Sequence, residues 1–225
     1  LKGVGRLIEV FGLKGDKLNE PNPDKYQDNK VDKHSDDEVP SIAIIPFDNK
    51  GDDEDAFYAY SISADLISDV SGAGLIRVAS LKRVEELTDL SLDEKAKILD
   101  VRYTAEGTLW KRADMFQLSV ELYDTKDKKV IWSDRWEEDW DNLTTIKGNL
   151  SDGLLKALDT KPKVEKKVET TNIEAYEYYL KGRYKSMKSE NMEDRDIARG
   201  FLQKAIQLDD NLGTAKGWLG WLYIQ

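Results

Sequence analysis

Cysteine is absent from this 225-residue chain, and histidine occurs once. Without thiols, disulfides and thiolate metal sites are excluded. A single imidazole, His34, leaves little room for nucleophile–histidine catalysis. Proline is scarce, with 5 in all, and three of them (Pro21, Pro23 and Pro40) fall within one twenty-residue stretch. No apolar run approaches the ~20 residues needed to span a bilayer, and no basic-then-apolar leader is present. Membrane is therefore not expected as a partner, and a cytoplasmic location is expected. Positive charge is also short: 34 Lys and Arg stand against 44 Asp and Glu, for a net charge of -10. Binding to a phosphate backbone relies on cations that neutralise it, so no nucleic-acid partner is expected. The chain starts at Leu1 without Met and reads as an internal stretch of a longer protein.

What is present begins with Ser41–Asn49, SIAIIPFDN, dense in apolar and β-branched residues. It reads as a strand buried on both faces, stopped by Pro46, which has no ladder donor. Asp48–Asp55, DNKGDDED, is too charged to be anything but a solvated loop. Ala59, Ile62, Leu66, Ile67 and Val70 then share one helical face over Phe57–Val70, closed by Gly72 and Gly74. Leu75–Ala79 reads as a second buried strand, parallel to the first. Leu81, Val84 and Leu87 fit a short helix capped by Ser80, and Ser91 with Glu94 forms a capping box for another. The period next drops to two. Tyr103–Lys111, Met115–Asp124 and Lys129–Glu137 alternate as a three-stranded meander. Leu143, Ile146, Leu150, Leu154 and Leu158 make a closing amphipathic helix.

The order β-α-β-α-α-β-β-β-α implies an α/β domain, a mixed sheet with packed helices, over residues 41–161. Before it, residues 1–18 hold a lone strand, Leu7–Leu13, and residues 19–40 are a linker containing His34, which reads as spacer rather than base or ligand. Glycines Gly3 and Gly5 suggest turns and not a phosphate loop, because no helix pattern or Lys-Ser/Thr pair follows. Residues 162–172 form a second linker, and residues 173–225 are helical throughout.

Three resemblances attach to these stretches. LKGVGRLIEVFGLKGDKL resembles the last strand and tail of bacterial class III adenylate/guanylate cyclase domains, although Leu7 stands where such tails carry Pro. This implies that the cyclase's catalytic and metal-binding residues lie upstream of Leu1, with Mg2+ or Mn2+ serving the parent enzyme and no cofactor in this stretch. IAIIPF, LIRVAS, the Tyr103–Lys111 strand with Gly107, and Trp132-Ser133 are similar, in that order, to the TolB N-terminal-like α/β domain. Ala198-x3-Leu202-x2-Ala205 and Lys216-x2-Leu219-Gly220-x2-Tyr223 resemble tetratricopeptide repeats, with Asp210 where Pro is usual. Tyr176–Tyr184 then supplies the first helix of a repeat hairpin, and Lys185–Arg195 a longer than normal turn.

Candidate sites are few. Asp52, Asp53, Glu54 and Asp55 lack calcium-loop spacing and read as solvated. Trp110, Trp132, Trp136 and Trp140 fit a sheet–helix core or a dimer face better than a ligand platform. Glu106, Glu121 and Asp134 invite an acid/base pair, but no spacing brings them together. No catalytic, cofactor-binding or metal residue is assigned. Tyr176, Tyr179, Arg183, Trp218 and Trp221 are the expected protein-interaction surface. Trp218, Trp221, Leu222 and Tyr223 belong to an unfinished repeat, so the chain is expected to fray there or pair as a homodimer.

The expectation is a non-catalytic regulatory and protein-interaction region of a nucleotide cyclase, its repeats offered to a protein partner. Two alternatives stay open. One is a sensor of a nucleotide or metabolite at the carboxyl ends of the first two strands, and the other is a TolB-like envelope scaffold.

Overall fold

A computed structural model describes residues 39–74, 76–160 and 170–224. The expected strand Leu7–Leu13, the linker with His34, Leu75 and residues 161–169 of the second linker lie outside them. The described residues belong to one compact unit, Asp36–Gln225. It contains β1 (Ser41–Ile44), β2 (Asp48–Asn49), α1 (Ala56–Ala73), β3 (Arg77–Val78), α2 (Leu81–Glu85) and α3 (Leu92–Leu99). The chain continues through β4 (Tyr103–Arg112), β5 (Met115–Asp124), β6 (Lys129–Asp139) and α4 (Leu143–Ala157). Three further helices follow: α5 (Ile173–Met187), α6 (Met192–Leu208) and α7 (Gly213–Ile224).

The sheet is mixed, with order β3-β1-β4-β5-β6. β1 is parallel to both β3 and β4, and β4, β5 and β6 run antiparallel. Pro46 interrupts β1 without ending its course along β4. The Ile45 amide donates to the Ala105 carbonyl at 2.8 Å, and the Lys50 amide donates to the Leu109 carbonyl at 2.8 Å. Between them the Phe47 amide leaves the ladder and donates to Ser63 Oγ of α1 at 2.7 Å. Hence Asp48–Asn49, expected to be loop, forms a short parallel strand on β4. Two other expectations change. β3 is a two-residue edge strand with Arg77 exposed, not a buried one. Ser80 stands at the start of α2 without a side-chain capping bond, whereas Ser91 and Glu94 make the full reciprocal box on α3.

One face of the sheet carries Leu109, Phe116, Leu118, Val120 and Leu122 into a continuous apolar core with α1 and α4. Gly107 lies in this layer because a Cβ there would stand 2.6 Å from the Ser119 carbonyl oxygen and 3.0 Å from the Phe47 ring. A side chain cannot fit against backbone at that range. On the other face, α2 and α3 cover only the β1 end, through Ala43, Val84, Ala96, Leu99 and Val101. Beyond it Trp110 and Met115 are exposed, and Thr108, Gln117 and Ser119 are half-buried.

The end of the meander is held by one ion pair. Arg102 donates to Asp124 through Nε at 3.1 Å and through its terminal nitrogen at 2.7 Å. The amides of Lys126 and Asp127 donate to the same carboxylate. Burial pushes the Asp124 carboxyl up, but the guanidinium and the two amides outweigh it and hold the group below its ordinary value. A depressed folded pKa gives stability that is present above the ordinary aspartate range and lost as pH falls through the folded value. Arg102→Met is therefore expected to cost about 1.5–3 kcal/mol at neutral pH. It should also move the acid-unfolding midpoint upward, as read by circular dichroism against pH; an unmoved midpoint would contradict the assignment.

Candidate functional site

α1 was expected to bury one face, yet it is buried on two. Ala59, Ile62, Leu66 and Val70 meet the sheet, while Ser61 and Asp65 are also buried. The second face is covered by α5, whose Tyr176, Tyr179, Leu180 and Arg183 are themselves buried. A polar second stripe on a helix ordinarily marks solvent, and here it marks a helix partner more than a hundred residues away.

Asp65 is the centre of that contact, 3% exposed. Tyr176 donates its hydroxyl to Asp65 Oδ2 at 2.7 Å, and Tyr179 donates to Oδ1 at 2.6 Å. Lys147 Nζ, from α4, lies 3.1 Å from Oδ2 and 3.4 Å from Asp69. The Arg183 guanidinium pairs with Oδ1, donates to the Tyr179 hydroxyl at 3.1 Å, and reaches Ser68 Oγ at 3.1 Å. Burial pulls the Arg183 pKa down to about 10, which still leaves it charged at neutral pH. One buried carboxylate thus has two cations and two hydroxyls around it, the condition under which a buried charge is tolerated.

A second knot lies two turns before Asp65 on α1 and is met by Glu177, between Tyr176 and Tyr179 on α5. Glu177 Oε1 accepts from the Tyr58 hydroxyl at 2.9 Å and from the Trp140 indole N–H at 2.6 Å. Burial first, then the charge of Glu177, pushes the Tyr58 phenol well above its ordinary value. Ser61 Oγ donates to the Leu180 carbonyl at 3.0 Å. α1, α4 and α5 therefore share one polar seam inside an otherwise apolar core.

Of the expected interaction surface, Tyr176, Tyr179 and Arg183 face inward, exposed by only 3%, 1% and 4%. That expectation is corrected for these three: their contact is made within the chain. Trp218 is half-buried beneath the Arg183 guanidinium, 5.3 Å from its ring centroid. Trp221 is exposed, as are Tyr223 and Ile224, while Leu222 is buried. The turn between α5 and α6 spans only residues 188–191, shorter than Lys185–Arg195. Gly182 lets these helices close up, since a Cβ there would stand 2.7 Å from Leu202 Cγ.

The other sequence candidates separate. Glu106 and Glu121 are direct cross-strand partners on the open sheet face, whereas Asp134 pairs with Val120 on the opposite face. Register brought the two glutamates together, and spacing alone could not show it. Burial, then Glu121 and Asp48, raises the Glu106 pKa. Trp140 is buried between Phe116 and Tyr58, Trp132 and Trp136 are half-buried, and Trp110 is exposed. Among the described residues, no three His, Asp or Glu side chains converge to hold a metal, and no helix is long and apolar enough to cross a membrane. A cavity of about 410 Å3 opens beside Asp65, between α1, α4, α5 and α7, and its described lining includes no residue of β1 or β3.

No family model matches the chain. It is 25% identical over 186 residues to "Putative adenylate cyclase 3" of Rhizobium meliloti (strain 1021), covering 78% of this chain and 31% of that protein. The chain thus spans about a third of the length of that relative. Among solved structures, TolB from Acinetobacter baumannii aligns at 18% identity with a TM-score of 0.41, over 53% of this chain and 28% of TolB. A PelC dodecamer from Paraburkholderia phytofirmans aligns at 18% identity with a TM-score of 0.39, over 55% of this chain and 90% of its own.

Proposed function

We infer that this chain is a non-catalytic regulatory and protein-interaction region of a nucleotide cyclase, acting in the cytoplasm. In this reading the α/β body is TolB-like, and α5–α7 begin a tetratricopeptide array that offers a concave surface to a protein partner. The alignment with an adenylate-cyclase-named protein over 78% of the chain supports the cyclase half. The regulatory half rests on one observation: α5 is fastened to α1 through the buried Asp65 cluster. A partner that loads the repeats pulls on the body of the α/β domain, because the link between them is a network of buried charges. A flexible tether would absorb the same load. The exposed Trp221, Tyr223 and Ile224 at the end of α7 form the surface for a further helix, a partner or a second copy.

The test uses the full open reading frame that contains this chain. Its cyclic AMP and cyclic GMP output is measured with Mg2+ or Mn2+, with residues 41–224 intact, deleted, or carrying Asp65→Asn. Catalysis that survives deletion but loses its response to a co-purified partner supports the reading. Equal output and equal response in all three forms would remove it, and turnover of ATP by the 225-residue chain alone would remove the non-catalytic half.

A further inference from the structure

β6 is the last strand of the sheet, and among the described residues no strand pairs with its outer side. Such an edge offers amides and carbonyls to an incoming strand. On the face it shares with Leu118, Val120 and Leu122, β6 carries Trp132, Asp134 and Trp136. The two indoles lean together along the strand, with centroids 6.4 Å apart and planes inclined at 49°. Both rings are half-buried, and Asp134 is exposed. α4 backs Trp132 at Gly153, where a Cβ would stand 2.6 Å from the indole.

Charge decides what this edge accepts. Asp134 accepts from the neighbouring Arg135 amide at 2.8 Å. Arg135 itself lies toward the other face, bonded to Gln117 and 4.0 Å from Glu137, and Lys129 is held by Asp127 at 3.3 Å. Among the described residues, Asp134, Glu138 and Asp139 have no ion-pair partner, and no cation stacks on Trp132 or Trp136. A second copy would bring the same carboxylates against each other, so the fitting occupant is a basic segment of another protein.

We propose that β6 takes up an extended segment of a partner protein, which adds to the sheet as a further strand and lays a lysine side chain over the Trp132 and Trp136 indoles, its ammonium donating to the Asp134 carboxylate. A cation is attracted to an indole face within about 6 Å of the ring centroid, and rings this close together share one. An ammonium carries only donors, which suits a carboxylate without a cation of its own. Residues two positions before and after the lysine fall on the same face of the incoming strand, opposite the tryptophans, and are therefore apolar. This surface is separate from α5–α7 and stands whether or not the chain serves a cyclase.

Isothermal titration calorimetry on the 225-residue chain tests it, with the blocked peptide Ser-Thr-Val-Thr-Lys-Thr-Val-Thr-Ser as the probe. Two analogues replace its lysine with norleucine or glutamate. Saturable binding of the lysine peptide with Kd below about 1 mM is expected, weakened about fivefold or more by norleucine and abolished by glutamate. Asp134→Asn and Trp136→Leu should each weaken it about fivefold, with thermal melts establishing that both are folded. Hydrogen exchange reads the strand addition: amides of Lys129–Asp139 should gain protection when the peptide is bound. The proposal fails if the lysine peptide does not saturate, if either analogue binds as tightly, if both folded variants bind like the parent chain, or if the β6 amides gain no protection. The analogue series needs only the parent chain, so it decides even where a variant does not fold.

Discussion

Asp65→Ala should lower the unfolding free energy by about 3–5 kcal/mol, because it leaves the Arg183 guanidinium buried without its carboxylate. Lys147 keeps Asp69 and loses less, while the Tyr176 and Tyr179 hydroxyls lose their acceptor. Urea titration followed by tryptophan fluorescence gives the number. Hydrogen exchange gives the location: amides of α5–α7 should lose protection first, with β4 and β5 still protected. A companion variant separates charge from packing. Asp65→Leu with Arg183→Met removes both ions, and apolar replacement of a buried pair is often neutral or stabilising, so this double variant should recover most of the loss. A cost for Asp65→Ala below about 1 kcal/mol would mean that the cluster does not hold the helices together.

Trp140→Ala is expected to cost a similar amount, about 3–5 kcal/mol, by a different route. The indole is 7% exposed and sits edge-on to Phe116 at 5.6 Å and to Tyr58 at 4.7 Å. Its removal opens a cavity where β6 hands over to α4 and takes one of two donors from Glu177. Trp140→Phe keeps much of the ring and loses the N–H, so it should cost about 0.5–1.5 kcal/mol beyond any packing change. Chemical denaturation of the two variants side by side reads the difference. Equal losses would assign the effect to the hydrogen bond, and a loss confined to the alanine variant would assign it to volume. Trp140 and Asp65 belong to one seam, so their effects should be non-additive in a double-mutant cycle.

The local code was legible wherever its cause is local. Ser91 and Glu94 are three residues apart, and a capping box needs nothing else. The alternation of Phe116, Leu118, Val120 and Leu122 places one face of β5 in the core for the same reason, since successive side chains on a strand point to opposite sides. Asp48–Asn49 was illegible because its pairing depends on the chain continuing along β4 past Pro46, which required Ser63 to accept the stray Phe47 amide. Glu106 and Glu121 were seen, but their opposition is a fact of strand register.

The polar side of α1 shows the division most clearly. Composition, charge and periodicity by themselves determined a chain without thiol chemistry, strongly acidic, with an α/β pattern followed by helices. They set which residues of α1 meet the sheet, because a 3.6-residue repeat depends only on the neighbours in sequence. Whether Ser61, Asp65 and Ser68 face water or a helix was left to the tertiary structure. A lone aspartate is costly to bury, and only the arrival of Tyr176, Tyr179, Arg183 and Lys147 from other helices makes its burial favourable.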